Sequence, residues 1–91
     1  MKLVFCEECH DLFKLEDEVR FCKCKQSMGA YEGDGDDLNA WFSGASAVPM
    51  GLDNRELLVA LVMRERDVPV EWRRMTAFVI KEPCETFRRC E

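Results

Sequence analysis

Period-2 alternation between residues 13 and 21 predicts a β-hairpin near the start of the chain. Phe13 and Leu15 precede the polar segment 16–18, and Val19 and Phe21 follow it. Apolar residues at every second position favour two strands that share one buried face. Three further short apolar stretches predict additional strands, at residues 2–5, 28–31 and 39–42.

The clearest helix start lies at Asp53. Aspartate is a favoured N-cap, and Glu56 three residues later completes a capping-box pattern. We therefore predict a helix from Asn54 to about Arg66, since Pro69 bars further extension. Its middle, Leu57 to Met63, is apolar on all sides, a pattern typical of a buried helix.

The segments around this helix are predicted from their residue types. Residues 45–51 are small and contain proline and glycine, which indicates a connection. Residues 71–82 are rich in β-branched and aromatic residues and end at Pro83, which predicts a C-terminal strand. We expect an α+β fold in a single domain, 1–91, with a β part at 1–44 and the helix, strand and tail at 45–91.

Composition indicates that this domain needs help to fold. The chain has 91 residues, of which 47% are hydrophobic, so its core is small, and it contains six cysteines. Small domains often gain stability from a metal or from disulfides. The start has no secretory core, and the longest apolar run is far shorter than the ~20 residues that span a bilayer. We expect a cytoplasmic protein, where reducing conditions favour metal-binding thiolates.

Four cysteines have the spacing of a zinc ribbon. Cys6 and Cys9 form one short pair, and Cys22 and Cys24 form another after twelve intervening residues. Tetrahedral zinc needs four sulfur atoms at ~2.3 Å, and two tight turns each supply two of them. We predict a structural Zn²⁺ bound by Cys6, Cys9, Cys22 and Cys24.

Other roles for the cysteines and for His10 have weaker support from the sequence. His10 follows the first pair at a position where such turns often carry a left-handed glycine. It is either a solvent-facing residue or a replacement for Cys9 as ligand. A thioredoxin-like role for Cys6 and Cys9 lacks the expected βαβ context. Cys84 and Cys90 are interpreted as free thiols near a frayed C-terminus, although a second site, a disulfide or reactivity beside Arg88 and Arg89 stays open.

Charge separates the two halves of the chain. Residues 1–53 carry a net charge of −6 and residues 54–91 a net charge of +1, within a total of −5. The acidic turn 32–37 resembles part of a calcium loop, but Leu38 falls where an oxygen ligand is required, so we expect a solvated loop. An acidic surface disfavours a phosphate backbone as partner.

Residues 3–61 resemble a group of small, largely uncharacterised zinc-ribbon proteins of bacterial and phage genomes. The likeness is carried by the two cysteine turns and by three later segments, Gly29–Tyr31, Leu38–Ala40 and Pro49–Asn54. It implies the fold and the metal and suggests a phage origin. The tail from Arg64 to Glu91 has no counterpart in that group.

These features favour a non-enzymatic protein-interaction module. Four thiolates close a zinc site, and His10 is the single histidine, so catalysis has little support. We expect a protein partner with a basic surface, such as a host nucleic-acid-handling or defence complex that a phage protein inhibits. The alternative is a nucleic-acid-binding ribbon that uses the Arg-rich C-terminal third. The apolar helix is covered either by the sheets and tail or by a second surface, which includes a homodimer.

Overall fold

A computed structural model of the chain describes residues 1–33 and 38–90. Over these residues the chain has an α+β architecture with two four-stranded sheets, one α-helix and one 3₁₀ helix, which confirms the predicted α+β class. Most of the acidic turn, residues 34–37, lies outside the described residues. The strands are β1 (Lys2–Cys6), β2 (Leu12–Lys14), β3 (Arg20–Phe21), β4 (Met28–Tyr31), β5 (Ala40–Ser43), β6 (Ala47–Leu52), β7 (Ala77–Val79) and β8 (Phe87–Arg89).

The two sheets divide the N-terminal strands between them. One sheet has the order β2-β1-β6-β7 and is antiparallel throughout. The other has the order β3-β4-β5-β8, and its last pair, β5 with β8, is parallel. Each sheet therefore contains one antiparallel pair whose connecting turn carries two of the four cysteines.

The core combines buried side chains from both sheets. Val4 and Phe13 come from the first sheet, and Phe42 and Phe87 come from the second. The rings of Phe42 and Phe87 meet edge to face, with centroids 5.1 Å apart. Such aromatic contacts stabilise beyond the area they bury.

The prediction of a β-hairpin over residues 13–21 is wrong. Strands β2 and β3 belong to different sheets, because β2 pairs with β1 and β3 pairs with β4. Phe13 and Leu15 are buried as expected, but Val19 and Phe21 are about half exposed. The polar segment between them is thus a crossing between sheets rather than a hairpin turn.

The predicted connection at residues 45–51 is a strand instead. Strand β6 lies between β1 and β7 and alternates small buried residues with larger half-buried ones. The missing side chain of Gly51 makes room for the Phe78 ring, which approaches within 2.6 Å of the place of a Cβ atom. Proline and glycine indicate a loop in the sequence, but here they permit close packing in a strand.

The prediction of a frayed C-terminal tail is wrong. Strand β8 pairs with β5, and Phe87 is completely buried. Arg89 forms an ion pair with Glu82 and donates hydrogen bonds to the carbonyls of Gly44 and Ala47. Its guanidinium also lies 4.6 Å from the centroid of the Phe42 ring. These contacts fasten the tail to the β5–β6 turn.

Replacing Arg89 by methionine is expected to lower the free energy of unfolding by about 2–3 kcal/mol. The change leaves carbonyls without their donor and removes the contact with the Phe42 ring. The matched control is Arg88→Met, since the Arg88 side chain is 61% exposed and pairs with Glu32. Exposed ion pairs contribute about 0–1 kcal/mol. Urea denaturation measures both variants, and equal losses would contradict the proposed role of Arg89.

The helix α1 begins as predicted, at Asn54, but ends at Met63 and contains no buried residue. Asp53 caps it by accepting hydrogen bonds from the backbone of Arg55 and Glu56. The Glu56 carboxylate binds the backbone N–H of Thr76 rather than completing a capping box. The prediction of a buried helix is therefore wrong.

The strand predicted at 71–82 is also shorter than expected. A 3₁₀ helix occupies Val70–Arg73 and packs against α1, and β7 covers only residues 77–79.

The radius of gyration is 14.5 Å, whereas a compact chain of this length has about 12 Å. The segment from α1 to β7, residues 54–79, is hereafter called the apolar lobe. In the described part of the chain, no helix is long and apolar enough to cross a membrane.

Candidate metal centre

The four cysteines of the predicted site lie in two turns that face each other across the sheets. Cys6 ends β1, and Cys9 lies in the turn to β2. Cys22 directly follows β3, and Cys24 lies in the turn to β4. Each sheet thus contributes one pair of sulfur atoms.

The structure brings all four sulfur atoms together. They lie within 4.8 Å of one another, and Cys24 Sγ is 3.7 Å from Cys6 Sγ and 3.4 Å from Cys22 Sγ. Sulfur atoms around one tetrahedral zinc are about 3.8 Å apart, whereas disulfide-bonded sulfurs are about 2.05 Å apart. All four are free thiols. The cluster fits a four-coordinate metal and does not fit a pair of disulfides.

Backbone hydrogen bonds shape the two turns in similar ways. In the first turn His10 N donates to Cys6 O at 2.7 Å, and in the second Lys25 N donates to Cys22 O at 3.0 Å. Both donors have left-handed backbone conformation, with φ of 61° for His10 and 63° for Lys25. The position after each second cysteine therefore has the conformation that glycine adopts most easily.

Replacing Lys25 by valine is expected to destabilise the protein by about 1–2 kcal/mol, because a β-branched residue fits a positive φ poorly. Lys25→Gly is expected to be neutral or stabilising. The matched control is Lys23→Val in the same turn, where no positive φ occurs. Thermal unfolding of the metal-loaded variants measures the effect. Equal losses for the two valine variants would contradict the argument.

Two residues that the sequence did not single out hold the turns in place. The Asp11 carboxylate accepts a hydrogen bond at 3.0 Å from Lys23 N and so links the first turn to the second. Ser27 N donates to Cys22 Sγ at 3.3 Å. A retrospective signal exists only for Ser27, a small residue just past the second cysteine pair. Asp11 resembles the other surface acids in the sequence.

The surroundings of the sulfur atoms favour ionisation of some thiols and oppose it in others. The Ser27 hydroxyl, which is buried without a well-formed hydrogen bond among the described residues, lies beside Cys6 and favours its thiolate. Against the effect of burial, it and backbone N–H groups lower the pKa of Cys6 to about 6. For Cys24, the backbone of Gln26 lowers the pKa, but burial and the neighbouring thiols prevail and raise it to about 12.

Cys22 is intermediate: burial raises its pKa, but the backbone of Ser27 and the Cys24 thiol outweigh burial and lower it. Four clustered thiols cannot all ionise without a nearby cation, because like charges repel at this separation. A bound divalent cation would remove that conflict and stabilise all four thiolates.

The remaining candidate residues lie apart from this cluster. The His10 ring stacks on Phe5, with centroids 5.9 Å apart, and is not grouped with the thiols. Cys84 is half-buried against the core, and its pKa is lowered chiefly by the Thr86 hydroxyl. Cys90 is exposed, and both cysteines are free thiols.

The arrangement can hold a metal ion but offers few other groups for chemistry. No protein-family model matches the chain, and no curated protein or solved structure matches it either. Its function must therefore be argued from the cluster and from the surfaces around it.

Proposed function

We propose that this chain is a non-enzymatic, zinc-stabilised protein-interaction module. The observation that carries the proposal is the apolar lobe, which contains nine exposed large hydrophobic residues and no buried one. Exposed apolar surface on this scale is typical of a contact site for another macromolecule. The nine residues are Leu58, Val59, Leu61, Val62, Val70, Trp72, Met75, Phe78 and Val79.

Zinc suits the thiol cluster better than most metals. Four thiolates close enough to bind one ion tetrahedrally favour zinc or iron over harder cations. Zinc bound to two thiolates from each sheet would join the sheets and supply folding free energy that the small core lacks. A four-thiolate site has no open coordination position, which supports a structural role over catalysis.

The acidic N-terminal region is the proposed contact for a basic partner. Glu7 and Glu8 are exposed in the first cysteine turn, and zinc with four thiolates would add a charge of about −2 there. The segment 16–18 is also exposed, at the opposite end of β2. Such a surface attracts basic proteins and speeds their association. If the resemblance to phage proteins holds, the partner is a host nucleic-acid-handling or defence complex.

A nucleic-acid-binding ribbon has less support. The alternative needs the arginines of the C-terminal third, but Arg88 pairs with Glu32 and Arg89 pairs with Glu82. Arg73 and Arg74 lie in or beside the 3₁₀ helix, near Glu71 and exposed apolar residues. A phosphate backbone would have to compete with Glu32 for Arg88 and with Glu82 for Arg89.

Affinity capture with three forms of the zinc-loaded protein tests the proposal. Wild type is compared with Leu58→Asp plus Val62→Asp in the lobe and with Glu7→Lys plus Glu8→Lys at the acidic end. We expect the lobe variant to lose bound protein, whether a second copy or another chain. The acidic-end variant is expected to lose the partners whose binding weakens at high salt. Bound material that is removed by nuclease and unaffected by either variant would overturn the proposal.

A further inference from the structure

Helix α1 carries an exposed apolar stripe that ends in opposite charges. At 100° per residue, Arg55, Leu58, Leu61 and Val62 lie on one side of α1, and Glu65, in the turn that follows Met63, lines the same groove. Leu58 and Val62 are each 63% exposed. Together with Leu61, Arg64 and Glu65 they line an open groove of about 400 Å³. The 3₁₀ helix packs against α1 but leaves this stripe uncovered.

Two antiparallel copies of this stripe are complementary, since apolar residues face apolar residues and each positive end faces a negative end. If two copies of α1 lie antiparallel with the twofold axis beside Ala60, Leu58 of one copy faces Val62 of the other. The same register brings Arg55 of each copy toward Glu65 of the other, because the two residues lie five positions before and five positions after Ala60. Antiparallel helix dipoles also attract each other.

The charged ends of the stripe are available for this pairing. Within the described residues, neither Arg55 nor Glu65 takes part in an ion pair. Residues 53–74 contain five arginines and five acidic residues, so two copies meet without net repulsion. This balance distinguishes a second copy from a strongly basic partner, for which the acidic N-terminal region is the better match.

The lobe offers apolar area to a second copy, and the α1 seam uses part of it. Trp72 and Phe78 are about half exposed, which corresponds to about 100 Å² each. The nine exposed residues of the lobe together offer on the order of 700 Å². A standard interface buries about 800 Å² per partner, and the seam has three of the nine residues, so we expect a weak dimer whose population depends on concentration.

We propose that the protein forms a symmetric homodimer in which α1 packs antiparallel against α1 of a second copy, with Leu58, Leu61 and Val62 in the seam. The Arg55–Glu65 pairs at its two ends fix the register. This inference rests on the proposed interaction role of the apolar lobe and names its occupant. The acidic ends of the two copies stay free for other partners.

Sedimentation velocity of the zinc-loaded full chain across the micromolar range tests the pairing. Wild type is expected to show a concentration-dependent dimer. Arg55→Glu and Glu65→Arg should each weaken dimerisation about tenfold or more, because each change creates two like-charge contacts by symmetry. Their combination restores opposite charges and should return the dissociation constant to within a few-fold of wild type.

Two controls keep this result interpretable. Arg73→Glu makes the same charge change as Arg55→Glu away from the stripe and is expected to leave the dimer intact. Circular dichroism and zinc content show that every variant is folded. A monomeric wild type, or a double variant no stronger than the single ones, would overturn the antiparallel dimer. If capture of another protein still depends on Leu58 and Val62 in that case, the interaction module stands while the dimer fails.

Discussion

Replacing Cys22 and Cys24 together by serine is expected to abolish metal binding and to unfold both sheets. Each sheet contributes two of the four clustered thiols, so a metal bound there crosslinks them. Structural zinc contributes about 10–16 kcal/mol of apparent free energy, as much as the whole stability of a small domain. Elemental mass spectrometry measures the metal, and circular dichroism measures the fold.

The matched control is the pair Cys84→Ser with Cys90→Ser. It removes the same number of thiols from outside the cluster and is expected to retain about one zinc per chain. A structural metal would be ruled out if the purified wild-type protein contained no metal, or if the Cys22/Cys24 variant stayed folded. Iron in place of zinc would preserve the structural role and change only the identity of the ion.

Phe87→Ala is expected to cost about 3–5 kcal/mol of stability. The Phe87 side chain is completely buried and meets Phe42 edge to face, so its removal leaves a cavity at the centre of the core. A chain of this length has a total stability of about 5–14 kcal/mol, so the loss is a large part of it. Urea denaturation of the metal-loaded protein measures the change.

Phe21→Ala serves as the control for this substitution. Phe21 is 51% exposed at the end of β3, and its truncation is expected to cost less than about 1 kcal/mol. If Phe87→Ala proved as mild as Phe21→Ala, strand β8 would not be part of the folded core. The C-terminal tail would then be frayed, as the sequence predicted.

Local sequence was sufficient wherever one segment determines its own structure. The spacing of Cys6 and Cys9, and of Cys22 and Cys24, predicted two turns, and the structure brings these sulfur atoms together. Asp53 predicted the helix start because an N-cap acts within four residues. His10 stands where such turns often carry a left-handed glycine, and it has that conformation in the structure. Each turn, the cap and the left-handed residue depend on neighbours in sequence, whereas the meeting of the two turns depends on the fold.

Features that depend on distant partners were missed. Strand β6 was interpreted as a loop because its Pro49 and Gly51 are unusual in strands, yet β1 on one side and β7 on the other hold it in place. Strand β8 was interpreted as a frayed tail because nothing within it reveals the Phe42 ring that covers Phe87. Similarly, Ser27 and Asp11 gain their roles only when the two turns meet.

Helix α1 separates most clearly what the sequence determined from what tertiary structure decided. Its N-cap and apolar residues specified a helix, since helix formation depends on residues within a few positions of each other. Whether that helix is buried depends on what lies against it. The two sheets, of which β8 is one strand, complete a core without it, so its apolar residues stay exposed. Hydrophobic residues in the sequence indicate a surface that favours burial. Only the tertiary structure decides whether the chain buries that surface itself or leaves it for another molecule.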